Sequence, residues 1–189
     1  MRNNLSGGRS TNLVREIVFM GIMIAVDVVA VRFLSFNMIT MRIGTGFIAN
    51  IVAGMYLGPV RAGIVGLIAD LIGFTLFPVG VFFPGFTLSA VVSGALSGFF
   101  LEGKKSSQKF NIIAYALIST LLVDTLMNTT WLVLMLHDGD FSKFMFRLIP
   151  RIPNQIAVIV LKIILVPILY RTLFKRFRAA GAEHPGIRE

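Results

Sequence analysis

The sequence contains no cysteine, which removes disulfides, thiolate metal sites and cysteine nucleophiles together. Charge is scarce: 14% of the 189 residues are Asp, Glu, Lys or Arg, and only nine of them are acidic. The two histidines, His137 and His184, stand far apart and outside the apolar runs. No H-E-x-x-H stretch occurs, and no side chains fall into a nucleophile–base pattern. The nearest approach to a phosphate loop is "GFFLEGKK", Gly98 to Lys105, in which Lys105 stands where the motif needs Ser or Thr. It also closes an apolar run, whereas the motif opens a helix after a strand. Nothing here hydrolyses ATP, and nothing calls for a metal or cofactor. Any active role must draw its energy from elsewhere.

What is abundant is apolar surface. Hydrophobic residues form 56% of the chain, 17 residues are Phe, and the mean hydropathy is +0.82. A soluble domain of this size could not bury so much, so the solvent is lipid. The polar stretch of about sixteen residues at the start, leading into a series of apolar runs, does not read as a cleavable leader. About 17–25 apolar residues cross a bilayer as a helix. Six candidate spans follow: Ile17–Phe33, Ile43–Leu57, Val60–Phe77, Phe83–Leu101, Phe110–Leu136 and Ile152–Leu173. The second and third are parted only by Gly58-Pro59. The expected fold is an all-α integral membrane protein in which residues 1–189 form a single six-helix domain.

The formal charge of +9 raises the question of nucleic acid, but the basic residues gather at the ends of apolar runs and speak first to topology. With a cytoplasmic N-terminus, that side holds Arg2, Arg9, Arg15, Arg61, Lys104, Lys105, Lys109, Arg171, Lys175, Arg176, Arg178 and Arg188. The other side holds Arg32, Arg42, Lys143, Arg147 and Arg151. Twelve against five places both termini in the cytoplasm. No nucleic-acid partner is expected.

Three outer segments then come together: "RFLSFNMITMR", the uncharged bridge Phe77–Phe86, and "HDGDFSKFMFRLIPRIPNQ". They join Phe36, Phe82, Phe83 and Phe146 to the five outer cations, against only Asp138 and Asp140. Phenylalanine faces stack flat heterocycles, and arginine forks grip carboxylates. The set suits an amphiphilic anion with a flat aromatic head, although an isolated Arg at this depth more often anchors to lipid phosphate. Within or near the spans lie Asp27, Asn50, Asp70, Asp124, Asn128 and Lys162. Asp70 and Asn128 are placed to reach an outward-facing pocket. For Asp27, Asp124 and Lys162 the preferred reading is a structural ion pair, Lys162 with either acid. Small residues recur at every fourth position, as in Gly21/Ala25, Gly54/Gly58, Ala62/Gly66, Ala90/Gly94 and Gly94/Gly98. Such ridges serve close helix packing, or the docking of a partner membrane protein.

Several runs carry a resemblance to a known family: "RFLSFNMITMRIGTGFIANIVAGMYLGPVRAGIVGLIADLIGFTLFP", "FFPGFTLSAVVSGALSG", "MNTTWLVLML" and "RLIPRIPNQIAVIVL". From roughly Val14 to Leu173 the chain resembles the substrate-binding S component of an energy-coupling factor vitamin transporter, most closely the folate-specific type. The resemblance implies a multi-pass protein of a prokaryotic plasma membrane that binds its vitamin at the outer face without catalysing a reaction. Loops 1–2, 3–4 and 5–6 would close over the vitamin. A transmembrane coupling subunit and two cytoplasmic ATPases would drive reorientation of the whole component. By matching position it implies substrate contacts from Arg32, Phe36, Phe77, Phe83, Thr87, Asn128, Trp131, Arg147, Arg151 and Asn154, with folate or a related pterin as ligand. Gly21 and Ala25 resemble the family's docking motif for the coupling subunit. Asp27 and Pro153 depart from its pattern. The alternatives are an S component for another vitamin or precursor, such as a pyrimidine or pantothenate, a small membrane enzyme acting on lipid head groups, and a structural scaffold. The enzyme is disfavoured because Asp27, Asp70 and Asp124 are scattered over three helices.

Overall fold

The computed structural model describes residues 7–33, 36–37, 42–43, 45–78, 81–136 and 141–179. Helix α1 (Gly7–Phe33) leads to a two-residue antiparallel ladder, β1 (Phe36–Asn37) on β2 (Arg42–Ile43). Then come α2 (Gly46–Leu76), α3 (Pro84–Leu101) and a short 3₁₀ turn (Gly103–Ser107). A long rod follows, made of α4 (Lys109–Ile118), a π-helix (Ser119–Met127) and α5 (Asn128–Leu136). The segment expected as loop 5–6 contains a 3₁₀ turn (Phe141–Lys143), α6 (Phe144–Leu148) and a second turn (Ile149–Arg151) before α7 (Ile152–Ala179). The fold is helical as expected, apart from the small ladder. Helices α1 and α7 run past the apolar stretches into polar sequence, because helix propensity does not stop where hydropathy does.

Helix α2 doubles back on itself. Gly46 packs against Asp27 and Val31, while Gly73 packs against Arg32. A straight helix would hold those two glycines about 40 Å apart, whereas Asp27 and Arg32 are only about 8 Å apart along α1. The reversal is at Gly58, whose φ of 74° lies in the left-handed region that favours glycine, followed by Pro59, which cannot supply a helical N–H. Leu57 and Ala53 from the first half accordingly share one cluster with Ala62 and Val65 from the second, against Met23 of α1. The expected division between the second and third spans is thus present as a sharp turn.

Backbone against backbone holds α3 in place. A Cβ on Gly66 would strike the Ala90 carbonyl, one on Gly94 the Ala62 carbonyl, and one on Gly98 the backbone of Gly58 and Pro59. Gly54 meets Ser97 and Gly98 in the same way, and the Ser97 hydroxyl donates to the carbonyls of Asn50 and Gly94 at 2.7 Å. In lipid, where apolar burial does not press helices together, this close approach supplies the dispersion that does. A second cluster, Ile51, Met55, Leu101, Ile112, Tyr115 and Val166, ties α2 and α3 to α4 and α7.

Outer surfaces are apolar, as a lipid solvent requires. On α7, Ile156, Val160, Ile164 and Ile168 form an exposed stripe, while Gln155, Val158, Lys162 and Val166 are buried on the opposite side. Among the described residues, four stretches are long and apolar enough to cross a membrane: Gly46–Leu76, Pro84–Leu101, Lys109–Leu136 and Phe141–Thr172. Helix α1, which carries Arg15, Glu16, Asp27 and Arg32, is not among them.

The buried face of α7 carries its charge to the π-helix. Lys162, 2% exposed, donates to Ser119 Oγ at 2.9 Å, Thr120 Oγ1 at 3.0 Å and Asp124 Oδ2 at 2.9 Å. Its ammonium also lies 5.7 Å from the Tyr115 ring centre and 5.9 Å from that of Phe47. Of the two ion pairs anticipated for Lys162, the structure forms the one with Asp124. The wider π turn brings Ser119, Thr120 and Asp124 around one ammonium, with Thr125 Oγ1 bonding back to the Thr120 carbonyl at 2.9 Å.

Two expectations follow for thermal unfolding in detergent. Gly94→Val should destabilise by about 3 kcal/mol through overpacking. Gly21→Val, at a site with no atom within 4 Å of the added Cβ, should stay within about 0.5 kcal/mol of the parent. Asp124→Ala, which strands a buried ammonium, should cost about 3 kcal/mol. Lys162→Met should cost about 1 kcal/mol, since Asp124 is 33% exposed and can turn to other donors. Equal melting temperatures for either pair would contradict the packing described.

Candidate functional site

The C-terminal ends of α1, α2 and α5 and the first turns of α3 and α7 carry a polar–aromatic layer. The bridge before α3 ends on Phe83, whose extended backbone (φ −131°, ψ 116°) feeds Pro84 into the first helical turn, where its fixed φ and missing N–H are tolerated. Gly85 follows, and a Cβ there would collide with the rings of Trp131 and Phe83. The Trp131 indole therefore lies directly on the start of α3. Its Nε1 donates to Ser89 Oγ at 3.0 Å, and the Phe83 ring stands 5.9 Å away, tilted by 45°. Phe83 also meets Phe86 edge-on at 6.0 Å. Phe74 faces Phe82 at 5.0 Å, and Phe33 meets Phe77 edge-on at 5.1 Å.

Polar groups occupy the same layer. The buried Thr87 hydroxyl donates to Asp70 Oδ2 at 2.7 Å, linking α3 to α2. Arg151 Nη1 donates to Thr129 Oγ1 at 3.0 Å, linking the start of α7 to α5. Gln155 Nε2, one turn further on, donates to the Asp124 carbonyl at 3.2 Å. Among the described residues, the polar atoms buried with no hydrogen-bond partner include Nε of Arg32, whose guanidinium lies over Gly73, and Oδ1 of Asn128 at the junction of the π-helix with α5, along with atoms of Asp27, Asn50 and Tyr115. An unpartnered buried polar atom is uncommon in a stable fold. Here two occur at the end of the molecule where the aromatic rings gather. Among the described residues, no group of three acidic or histidine side chains is placed to hold a metal.

Of the residues singled out from the sequence, Phe83 and Trp131 are in direct contact. Thr87, Asn128 and Arg151 join them in the layer through α3, α5 and α7. Arg32 and Phe77 line its α1–α2 side. Arg147 on α6 and Asn154 at the start of α7 are half-buried next to it in the chain. Phe36 is placed only by its backbone in β1, and the side chains of Phe36 and Arg42, like Asp138 and Asp140, lie outside the described residues. Gly21 and Ala25 are both exposed on α1. Sequence reading passed over Gly85, Ser89 and Thr129, whose roles are to seat Trp131 and Arg151. The available clue was the Pro-Gly step in "FFPGF", which puts the smallest residue where a ring must lie.

Residues 15–170 match the family described as ECF transporter, substrate-specific component. The chain is 42% identical over 136 residues to the folate transporter FolT of Clostridium novyi (strain NT), covering 72% of this chain and 78% of that one. It is 24% identical over 147 residues to the folate transporter FolT of Leuconostoc mesenteroides subsp. mesenteroides, covering 76% and 78%. Among solved structures it resembles the crystal structure of FolT bound with folic acid, with a TM-score of 0.74 and 32% identity, across 84% of this chain and 95% of that chain. On a match that runs from α1 through most of α7, this chain belongs to the substrate-specific components of ECF transporters.

Proposed function

We propose that this chain is the folate-binding S component of an ATP-driven vitamin importer, taking up folate or a related pterin at the outer face. The observation that carries the reading is the Phe83–Trp131 wedge beside two buried, unpartnered polar atoms, Arg32 Nε and Asn128 Oδ1. A flat bicyclic head stacks on such rings, and a ligand bearing both donors and acceptors would satisfy both atoms. Arg147 and Arg151 are positioned by sequence to meet the glutamate carboxylates as bidentate partners. The relatives named for folate transport and the folic acid bound by the FolT structure support the same ligand.

In this reading all six helical rods cross a prokaryotic plasma membrane as a single domain, with both termini in the cytoplasm. The chain itself catalyses nothing. The segments between α1 and α2, α2 and α3, and α5 and α7 close over the bound vitamin. The exposed Gly21/Ala25 ridge on α1 docks a transmembrane coupling subunit, and two ATPases supply the energy for reorientation. The unpacked space beside Gly21 supports that assignment.

Trp131 is the single tryptophan of the chain, so intrinsic emission reports on the site alone. Titrating folic acid into the purified protein should quench that emission saturably, and Arg151→Ala should raise Kd by about tenfold, as loss of a charge-assisted contact does. Saturable binding of thiamine, riboflavin or biotin with no response to folic acid would overturn the ligand assignment.

A further inference from the structure

Asp27 is the one buried carboxylate that the account so far leaves without a purpose. It is 6% exposed, and among the described residues its Oδ1 has no hydrogen-bond partner. The cation expected for it, Lys162, is committed to Ser119, Thr120 and Asp124. Arg61 pairs with Glu16 at 2.9 Å. Arg32 is five residues further along α1, turned roughly 140° around the helix from Asp27, and packs on Gly73.

The surroundings of Asp27 are built for an acceptor. Its Oδ1 lies 3.0 Å from where a Cβ on Gly46 would be, so the start of α2 packs on the oxygen without offering it a side-chain donor. Gly46 begins α2. Thr45, the residue in the capping position, sends its hydroxyl to the Ala30 carbonyl at 2.6 Å and makes no cap bond of its own. Asp70, within electrostatic reach on α2, already receives the Thr87 hydroxyl. Asp27 and Asp70 each stand six residues before the outer end of their helix, about 9 Å along it. Both therefore belong to the layer that holds Trp131 and Thr87.

We propose that Asp27 is the specificity-determining acceptor of the site, its Oδ1 taking hydrogen bonds from the N–H donors of a 2-amino-4-oxopyrimidine ring. Such a ring forms the outer edge of a pterin head, so the inference rests on the folate reading above and assigns the part of the ligand that Asp27 reads. A carboxylate with an unpartnered oxygen matches an amino group and a ring N–H side by side. A ligand lacking those donors leaves the oxygen buried and unpaired, and is rejected for that reason. This also accounts for a charged residue on a helix whose other sides are largely apolar.

The test is calorimetry on the full chain in detergent, with three probes: folic acid, a folic acid analogue in which methyl replaces the 2-amino group, and p-aminobenzoylglutamate, which lacks the pterin. Asp27→Asn should weaken folic acid by about tenfold to a hundredfold. It should weaken the methyl analogue no further than the parent protein already does, and leave p-aminobenzoylglutamate unchanged. If Asp27→Asn binds folic acid as tightly as the parent, Asp27 is structural and the proposal fails. Should that variant not fold, the parent protein decides alone, because equal affinity for folic acid and the methyl analogue overturns the proposal. Absence of folic acid binding by the parent would instead overturn the folate reading itself, and this inference with it.

Discussion

The contact on which the rest of this molecule depends is the meeting of α2 and α3 without side chains between them. Gly54, Gly66, Gly94 and Gly98 let the two backbones approach until added Cβ atoms would overlap backbone atoms of the other helix. That seam fixes how far α3 can slide or turn, and so where its first turn comes to rest. Pro84 and Gly85 then present a bare surface to Trp131, and Thr87 falls opposite Asp70. A pocket made of aromatic rings is only as well defined as the helices that carry them. Here the definition comes from backbone contact, which has fewer alternative packings than interlocked side chains.

Polar groups divide the bundle into two kinds of environment. Around Lys162 the ammonium has three oxygen partners and two aromatic rings nearby, and the π-helix is wound to provide them. Such a satisfied network holds α7 to the central rod. At the end with the aromatic rings, Asp27 Oδ1, Arg32 Nε and Asn128 Oδ1 are buried without partners among the described residues. Unsatisfied atoms lower stability, and they are not confined to one place, since Asn50 Oδ1 and the Tyr115 hydroxyl are also unpartnered among the described residues.

Much of this was legible in the sequence. The turn at Gly58-Pro59 could be read because only that dipeptide interrupts an apolar run that would otherwise read as one long helix. The glycine seam showed as four-residue spacing of small residues, and the Phe83–Trp131 wedge as aromatic runs assigned to one face. What escaped depends on helical register. The π-helix at Ser119–Met127 has no marker in residue type, yet it decides which oxygens surround Lys162. Whether Lys162 chose Asp124 or Asp27 could not follow from hydropathy, which gives depth but not azimuth. Gly85 passed unnoticed because its importance comes from a ring on another helix, 46 positions away at Trp131. The short helical turns at Phe141–Arg151 were hidden by their mixture of Phe, Arg and Pro, which reads as loop.

The central claim is that this end of the bundle captures a folate, and the most direct check is mass spectrometry of whatever small molecule is released from the chain after purification from cells. The account predicts a compound carrying a pterin joined to p-aminobenzoylglutamate, in near-equal amount to the protein. A different vitamin in that amount, with no pterin present, would contradict it.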